Sequence, residues 1–421
     1  MKNIIKKLLS ISIVVSVFTA CNDAEDMPTS LISNNGSKLP YTVLKTENNV
    51  EIRNGGFGSA ATAHPTNNRE FYALTDRGAN LSTEGGKIFP TSNYTPRIGH
   101  FRLLEDNKIE KIGEILLKTP QGAPVSGLPN PNGYGATGEI PYDLDKNVLD
   151  FDRYGIDSEG LVALKDGTFW VSDEYGPHIV HYTANGIELE RISPVNVDTG
   201  TRKIPAVFER RWANRGMEGL AITPDEKTLV GIMQSTLYNP SKAEVVDFTI
   251  TRIVTFDIAT AQTKQYLYRQ DKAKNSNSEI TALSNTEFLV IERDGKFQGN
   301  DANAQKYIYK IDISNATDVS GNNFNALEGM LINDKTIEQN TWEELIAANI
   351  TPVKKTLAVD VINRLGKYPH EKMEGIWLID DNTIGILNDD DFAVTGTDKL
   401  NQKILPGTNN IDQNTLYITN F

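Results

Sequence analysis

The sequence predicts an all-β protein, a β-propeller of five to six blades with strand closure between its N- and C-termini. Three observations carry that expectation. Apolar runs are short, rich in β-branched and aromatic residues and separated by turn signals, with almost no long segment of 3.6-residue period. One pattern returns along the chain: an acid, a glycine and an apolar run, a turn, a second apolar run, then further acids. Each return is followed by sequence for two more strands, and four antiparallel strands make one blade.

The chain opens with Lys2, Lys6 and Lys7 before the apolar run "LLSISIVVSVF", which ends in "TAC" at Cys21. Residues 1–20 read as a signal peptide, too short for a membrane span. Small residues before Cys21, the only cysteine of the chain, point to lipidation of its thiol, hence to an outer-membrane lipoprotein facing the periplasm or the cell surface. An ordinary secretory signal is the alternative. Residues 21–40 are polar and read as a flexible tether. The folded domain is then 41–421.

"YTVLKTENNVEIRN" starts that domain and "NTLYITN" ends it, so the N-terminal segment is expected to lend a strand to the last blade. Such closure leaves no open edge. Between them lie the repeats: "SEGLVALKDGTFWVSDEYG" from Ser158, "MEGLAITPDEKTLVGIMQSTL" from Met217, "SEITALSNTEFLVIERDG" from Ser278 without the glycine, "MEGIWLIDDNTIGILNDDDF" from Met373, and a weaker one from Gly58. Insertions are expected near 118–155, 239–248 and 322–356. The last carries a helix with Thr341 and Glu344 placed as a capping box. A sixth blade would have to lie within 295–370. A pair of β-sandwiches is the competing architecture, and repeats with the same acids at the same place argue against it.

In a blade the first strand starts, and the second ends, at the same mouth of the central channel. With a centred turn in each hairpin, Glu159 faces Glu174, Glu279 faces Glu292, Glu374 faces Asp389, and Glu218 faces Met233 beside Gln234. Opposed carboxylates about 5 Å apart repel by roughly 3 kcal/mol at an effective dielectric near 20. A hard divalent cation offsets that, and oxygen donors without His or Cys clusters suit calcium or magnesium. The candidate ligands are Glu159, Asp173, Glu174, Glu218, Glu279, Glu292, Glu374 and Asp389, with Asp76, Gln234, Asn388 and Asp390 as further donors. The bland alternative is that these acids cap turns or pair with arginine.

Cations run through the same segments: Arg77, Arg211, Arg215, Arg293 and Lys372. Beside a bound metal they would hold the oxygens of a phosphoester. Singly, each would merely pair a neighbouring acid. His178, just after "DEYGP", is a candidate general acid or base, with a plain surface histidine as the alternative. No G-x-S-x-G elbow, P-loop or H-E-x-x-H motif occurs. Loss of the signal's three lysines takes the net charge from −13 to −16, which argues against nucleic acid or an anionic membrane surface as partner; the membrane is met only through the lipid.

The motifs "DSEGLVALKDGTFWVSDEYGPHI", "RRWANRGMEGLAITPDEKTLVGIMQS" and "KMEGIWLIDDNTIGILNDDDF" resemble the bacterial phytase-like family, described as having esterase-like activity of phytase. The resemblance covers roughly 50–420. It implies a propeller that hydrolyses phosphoesters, and by position it maps the family's acidic motif onto Glu159, Asp173, Glu174, Glu218 and Glu374, with Asn214. "NDDDF" at Asn388–Phe392 departs from the family, where a second Asn is frequent, and leaves Asp389 or Asp390 as the ligand open.

The expectation is a monomeric, calcium-dependent hydrolase of small phosphate esters, with Glu159, Glu218, Glu374 and His178 as catalytic candidates. Two other readings remain: a non-catalytic module that binds a glycan or protein around a structural metal, and a metal-dependent lactonase or carboxyl ester hydrolase.

Overall fold

The computed structural model describes residues 33–421, so the signal peptide, Cys21 and most of the expected tether lie outside the described residues. Five four-stranded antiparallel sheets make up the body of the chain. Sheet one runs β2 (Ala60–His64), β3 (Asn67–Leu74), β4 (Arg97–Leu103) and β5 (Ile109–Leu116). Sheet two is β6 (Ser158–Ala163), β7 (Phe169–Asp173), β8 (Ile179–Tyr182) and β9 (Glu188–Ile192). Sheet three is β10 (Met217–Ile222), β11 (Thr228–Met233), β12 (Ile250–Asp257) and β13 (Thr263–Arg269). Sheet four is β14 (Ser276–Ala282), β15 (Glu287–Arg293), β16 (Lys306–Asp312) and β17 (Lys354–Asp360). Sheet five is β18 (Gly375–Asp380), β19 (Thr383–Leu387) and β20 (Thr415–Asn420), with β1 (Ser33–Lys38) as its outer strand.

The fold is thus all-β and propeller-like. Each repeat read from the sequence supplies the first hairpin of one sheet, and the first strands lie side by side: β2 against β6 and β18, β6 against β10, β10 against β14, β14 against β18. Apolar residues fill every interface between successive sheets. Trp377 of sheet five, for example, stacks on Phe71 of sheet one with ring centroids 4.7 Å apart. The insertion near 322–356 carries the expected short helix, Trp342–Ala347, and the capping box forms: Glu344 N–H donates to Thr341 Oγ1 (3.2 Å) and Thr341 N–H to Glu344 Oε2 (2.8 Å). A buried ion pair, Arg252 Nε to Glu338 Oε1 at 2.7 Å, fastens this insertion to sheet three.

Two expectations need correction. The strand that joins the termini is Ser33–Lys38, inside the stretch read as tether, and Thr42–Glu47 with Val50–Asn54 forms a separate hairpin. Residues 295–370 hold no further four-stranded sheet among the described residues; they contribute β16, β17 and the helical insertion instead.

The first strands approach so closely that glycine is required at two of them. A Cβ on Gly219 would lie 2.6 Å from the Ile280 nitrogen, and one on Gly160 2.5 Å from the Leu220 nitrogen. These are main-chain neighbours that cannot turn aside, so Gly219→Ala is expected to cost about 1–3 kcal/mol. A denaturant titration with an unchanged midpoint would contradict this close approach.

Candidate functional site: a charged cavity at one end of the sheets

The repeated acids reach one end of the molecule through a backbone irregularity absent from simple hairpins. Ser158 pairs with Asp173 and Gly160 with Ser172, which leaves Glu159 as the extra residue of a β-bulge. Met217 pairs with Met233 and Gly219 with Ile232, so Glu218 is extra in the same way. Glu374 precedes β18, its N–H donating to Leu387 O at 3.1 Å. A bulge re-aims a side chain. The cross-strand pairs Glu159–Glu174, Glu374–Asp389 and Glu218–Met233 expected from a regular register therefore do not form. The side chains of Glu159, Glu174, Glu218 and Glu374 nevertheless line one cavity of about 440 Å³.

In sheet four Asn277 pairs with Glu292 and Glu279 with Ile291, so Ser278 takes the bulge position and Glu279 the position held elsewhere by glycine. Glu279 consequently lies deeper, away from the cavity lining. It accepts the N–H of Ile280 at 2.9 Å through Oε1, and its buried Oε2 has no donor among the described residues. Burial pushes its carboxyl well above the usual range. The missing glycine of this repeat was the available sequence signal. Glu292 is also outside the cavity, saturated by Tyr268 Oη (2.7 Å), Asn275 Nδ2 (2.7 Å), Asp271 N–H (2.6 Å) and Lys355 Nζ (2.5 Å).

Other sequence candidates turn out to shape the backbone. Asp173 accepts the N–H groups of Asp157 (2.9 Å), Tyr175 (3.1 Å) and Gly176 (3.2 Å), and burial raises it to about 6. His178 is 1 % exposed, bonds Ser193 Oγ at 2.7 Å and does not line the cavity. Burial, with Arg191 and Arg211, holds it well below the usual histidine range, so it is neutral. Arg211 donates to the carbonyls of Gly135 (2.9 Å) and Ala136 (3.0 Å), also outside the cavity. Asn388 and Asp390 secure the last strand: Thr415 N–H bonds Asn388 Oδ1 at 2.7 Å and Asn414 N–H bonds Asp390 Oδ2 at 3.2 Å.

Eight carboxylates line the cavity: Asp76, Asp157, Glu159, Glu174, Glu218, Glu371, Glu374 and Asp391. Five cations stand among them: Arg77, Lys87, Arg215, Arg293 and Lys372. Asp157, Lys87, Glu371 and Asp391 carried no signal that sequence reasoning used. Burial raises Asp76, Glu159 and Glu174 well above the usual range, each pushed further by neighbouring acids, and takes Glu218 to about 8 with the help of Glu374.

The cations are not equivalent. Arg77 pairs with Asp157 and Glu139, both at 3.3 Å, and Arg293 pairs with Glu374 while donating to Ser278 Oγ at 3.1 Å. Lys372 reaches Asp389 Oδ2 (2.6 Å) and Asp391 Oδ1 (2.8 Å), and Lys403 also pairs with Asp391. Arg215 differs. Its Nη1 donates to Ser235 Oγ (2.9 Å) and Ser276 Oγ (3.4 Å), its guanidinium lies 4.4 Å from the Trp212 ring centre, and it pairs with no carboxylate among the described residues.

Two sets of three carboxylates place ligand oxygens within 4.8 Å of one another and share Asp76: Asp76, Asp157 and Glu159, and Asp76, Asp389 and Asp391. Lys372 and Lys403 already neutralise the second set. The first has only Arg77 beside Asp157. Glu218 Oε2 and Asn214 Oδ1 are buried acceptors without a donor among the described residues, Asp157 Oδ2 and Glu374 Oε2 meet only the looser ion pairs of Arg77 (3.3 Å) and Lys372 (3.9 Å), and all four residues line the cavity. Buried carboxylate and amide oxygens that lack donors are the ligand chemistry of a hard divalent cation.

Sheets, bulges and cavity together define the class: an all-β, propeller-like protein with a charged cavity at one end. The chain belongs to the phytase-like family, described as esterase-like activity of phytase, whose sequence model matches residues 52–392. It is 28% identical over 253 residues to an uncharacterized secreted protein of Arthroderma benhamiae; the match spans 48% of each chain, about half the length of that relative. Similar solved structures include a protein from Lactobacillus plantarum (TM-score 0.35, 9% identity, 92% of this chain and 98% of that one). The PQQ-bound aldose sugar dehydrogenase of Streptomyces coelicolor (0.31, 10%, 92% and 99%) and the WD40 domain of Toxoplasma gondii coronin (0.33, 10%, 91% and 73%) are others. No helix among the described residues is long and apolar enough to cross a membrane.

Proposed function

We propose that this chain is an exported, lipid-anchored hydrolase of small phosphate esters, a closed propeller of five blades that works at its charged cavity with one divalent cation, calcium by preference. The observation that carries this reading is the juxtaposition of orphan buried oxygens with a guanidinium that no carboxylate occupies. Asp76, Asp157 and Glu159 are the residues to hold the cation. When bound, it would neutralise them, polarise a phosphoryl oxygen and acidify water.

The chain's own groups divide the remaining tasks. Arg215 keeps its Nε and Nη2 for two oxygens of the phosphoryl group, a bidentate match that lysine lacks. Glu218, raised to about 8 by burial, keeps its proton at neutral pH and can give it to the leaving oxygen as the P–O bond breaks. Glu374, with Oε1 fixed by Arg293 and Oε2 met only by Lys372 at 3.9 Å, is placed to take the proton of the attacking water. His178 has no part in this scheme.

The test compares p-nitrophenyl phosphate with p-nitrophenyl acetate, with and without chelator. Phosphatase activity lost in EDTA and restored by calcium is expected, with Arg215→Ala lowering kcat/KM for the phosphate about 10²-fold and sparing any acetate hydrolysis. Acetate hydrolysis alone would favour a lactonase-like ester hydrolase, and neither activity would favour a binding module.

A further inference from the structure

We infer that His64, Glu70 and His100 form a second metal site, suited to a zinc-type transition ion, on sheet one away from the charged cavity. One ligand atom from each of these residues lies within 4.8 Å of the other two. Register explains the convergence. Tyr72 pairs with His100 and Glu70 with Arg102 on β3 and β4, so Glu70 and His100 are diagonal neighbours on one face. His64 joins them at the end of β2, where the pairing shifts between Ala63 and His64.

The set is held in place without the ion. His100 Nε2 lies 2.7 Å from Glu70 Oε2, Arg102 Nε and Nη2 donate to Glu70 Oε1 at 3.0 and 2.7 Å, and the two imidazoles stack 10° from parallel, 5.3 Å apart. Thr66 N–H donates to His64 Nδ1 at 3.2 Å, so the ring is neutral with Nδ1 unprotonated, and a metal at Nδ1 would replace this hydrogen bond. Two imidazoles and a carboxylate are a donor set for zinc and not for calcium, and three protein ligands leave a coordination position open. Of the three, His64 borders a groove of about 780 Å³ together with Asn67, Asn68, Arg69, Arg102 and Trp377. Binding would displace the proton shared by His100 and Glu70, and these atoms would part to about 3.3 Å, the edge of a tetrahedron of 2.0 Å bonds.

Isothermal titration of the full chain with ZnCl2, and the visible absorption of its Co2+ form, test the site. One equivalent bound with micromolar or tighter affinity is expected, with nitrogen and oxygen ligation and no thiolate band from Cys21. His64→Ala and His100→Ala should each weaken binding at least 10-fold. No zinc uptake at micromolar concentration, or uptake indifferent to both histidine variants, overturns the inference. Thermal melts establish that the variants are folded; should His100→Ala unfold, His64→Ala at its strand end decides.

Discussion

Replacing Glu159 by Gln is expected to raise the melting temperature of the chelated protein while abolishing its response to calcium. Ordinary buried substitutions destabilise, so the sign itself is informative. Glu159 lies 8 % exposed with no hydrogen-bond partner among the described residues, and Glu218, Asp157, Glu374 and Glu174 all press on its charge. Glutamine is neutral at every pH, so it removes the cost of ionising, or of holding protonated, a carboxyl buried among acids. In calcium the order reverses. A ligand at about 100 times its Kd stabilises by roughly 2.7 kcal/mol, and that gain requires the ligand oxygens. Hydrolysis should fall at least about 10²-fold in the same variant. Thermal melts in EDTA and in CaCl2 check both signs; a variant that melts lower in EDTA and keeps its calcium shift would sink the assignment of Glu159.

The chelated protein should also lose stability as pH rises from about 5 to about 8, where most proteins are near their optimum. Burial lifts Glu218 from 4.5 to about 8 and Asp389 from 3.8 to about 7. Between the unfolded and folded values the native state binds the extra protons, so stability is greatest below the lower value and declines toward the upper one. At about 1.4 kcal/mol per pKa unit, Glu218 alone accounts for a few kcal/mol. Calcium favours the ionised forms of Asp76 and Glu159, which burial also raises, and should make the slope shallower while Glu218 keeps its proton. Urea midpoints at several pH values, with EDTA and with calcium, measure it; a flat chelated profile would show that these carboxyls are ionised throughout.

The five hairpins were legible because each alternates apolar runs about a turn and repeats its acids. The strand that closes sheet five was not. Ser33–Lys38 reads "SNNGSK", and a solvent-facing outer strand needs no apolar alternation, so it looks like tether. Convergence of Glu159, Glu218 and Glu374 on one cavity was also readable, but their pairing was not, since a bulge inserts one residue without any composition that announces it. Asp157 went unnoticed although it adjoins Ser158. What gives it meaning is Arg77, a partner 80 positions away whose contact depends on two sheets lying side by side.

The outer strand of sheet five carries a consequence for the order of events in the cell. Ser33 pairs with Ile418, and β20 lies between β19 and β1, so the last sheet needs both ends of the chain at once. A partly synthesised chain has only four of the sheets it can finish from local sequence, and the fifth waits for the final residues. Contacts of such long range form late, because the loop they close is entropically the most costly. Until then β20 lacks its outer neighbour and sheet five is incomplete. The same outer strand thus sets an order of assembly: four sheets can form from neighbouring sequence, and the fifth is complete only when Ser33–Lys38 meets Thr415–Asn420.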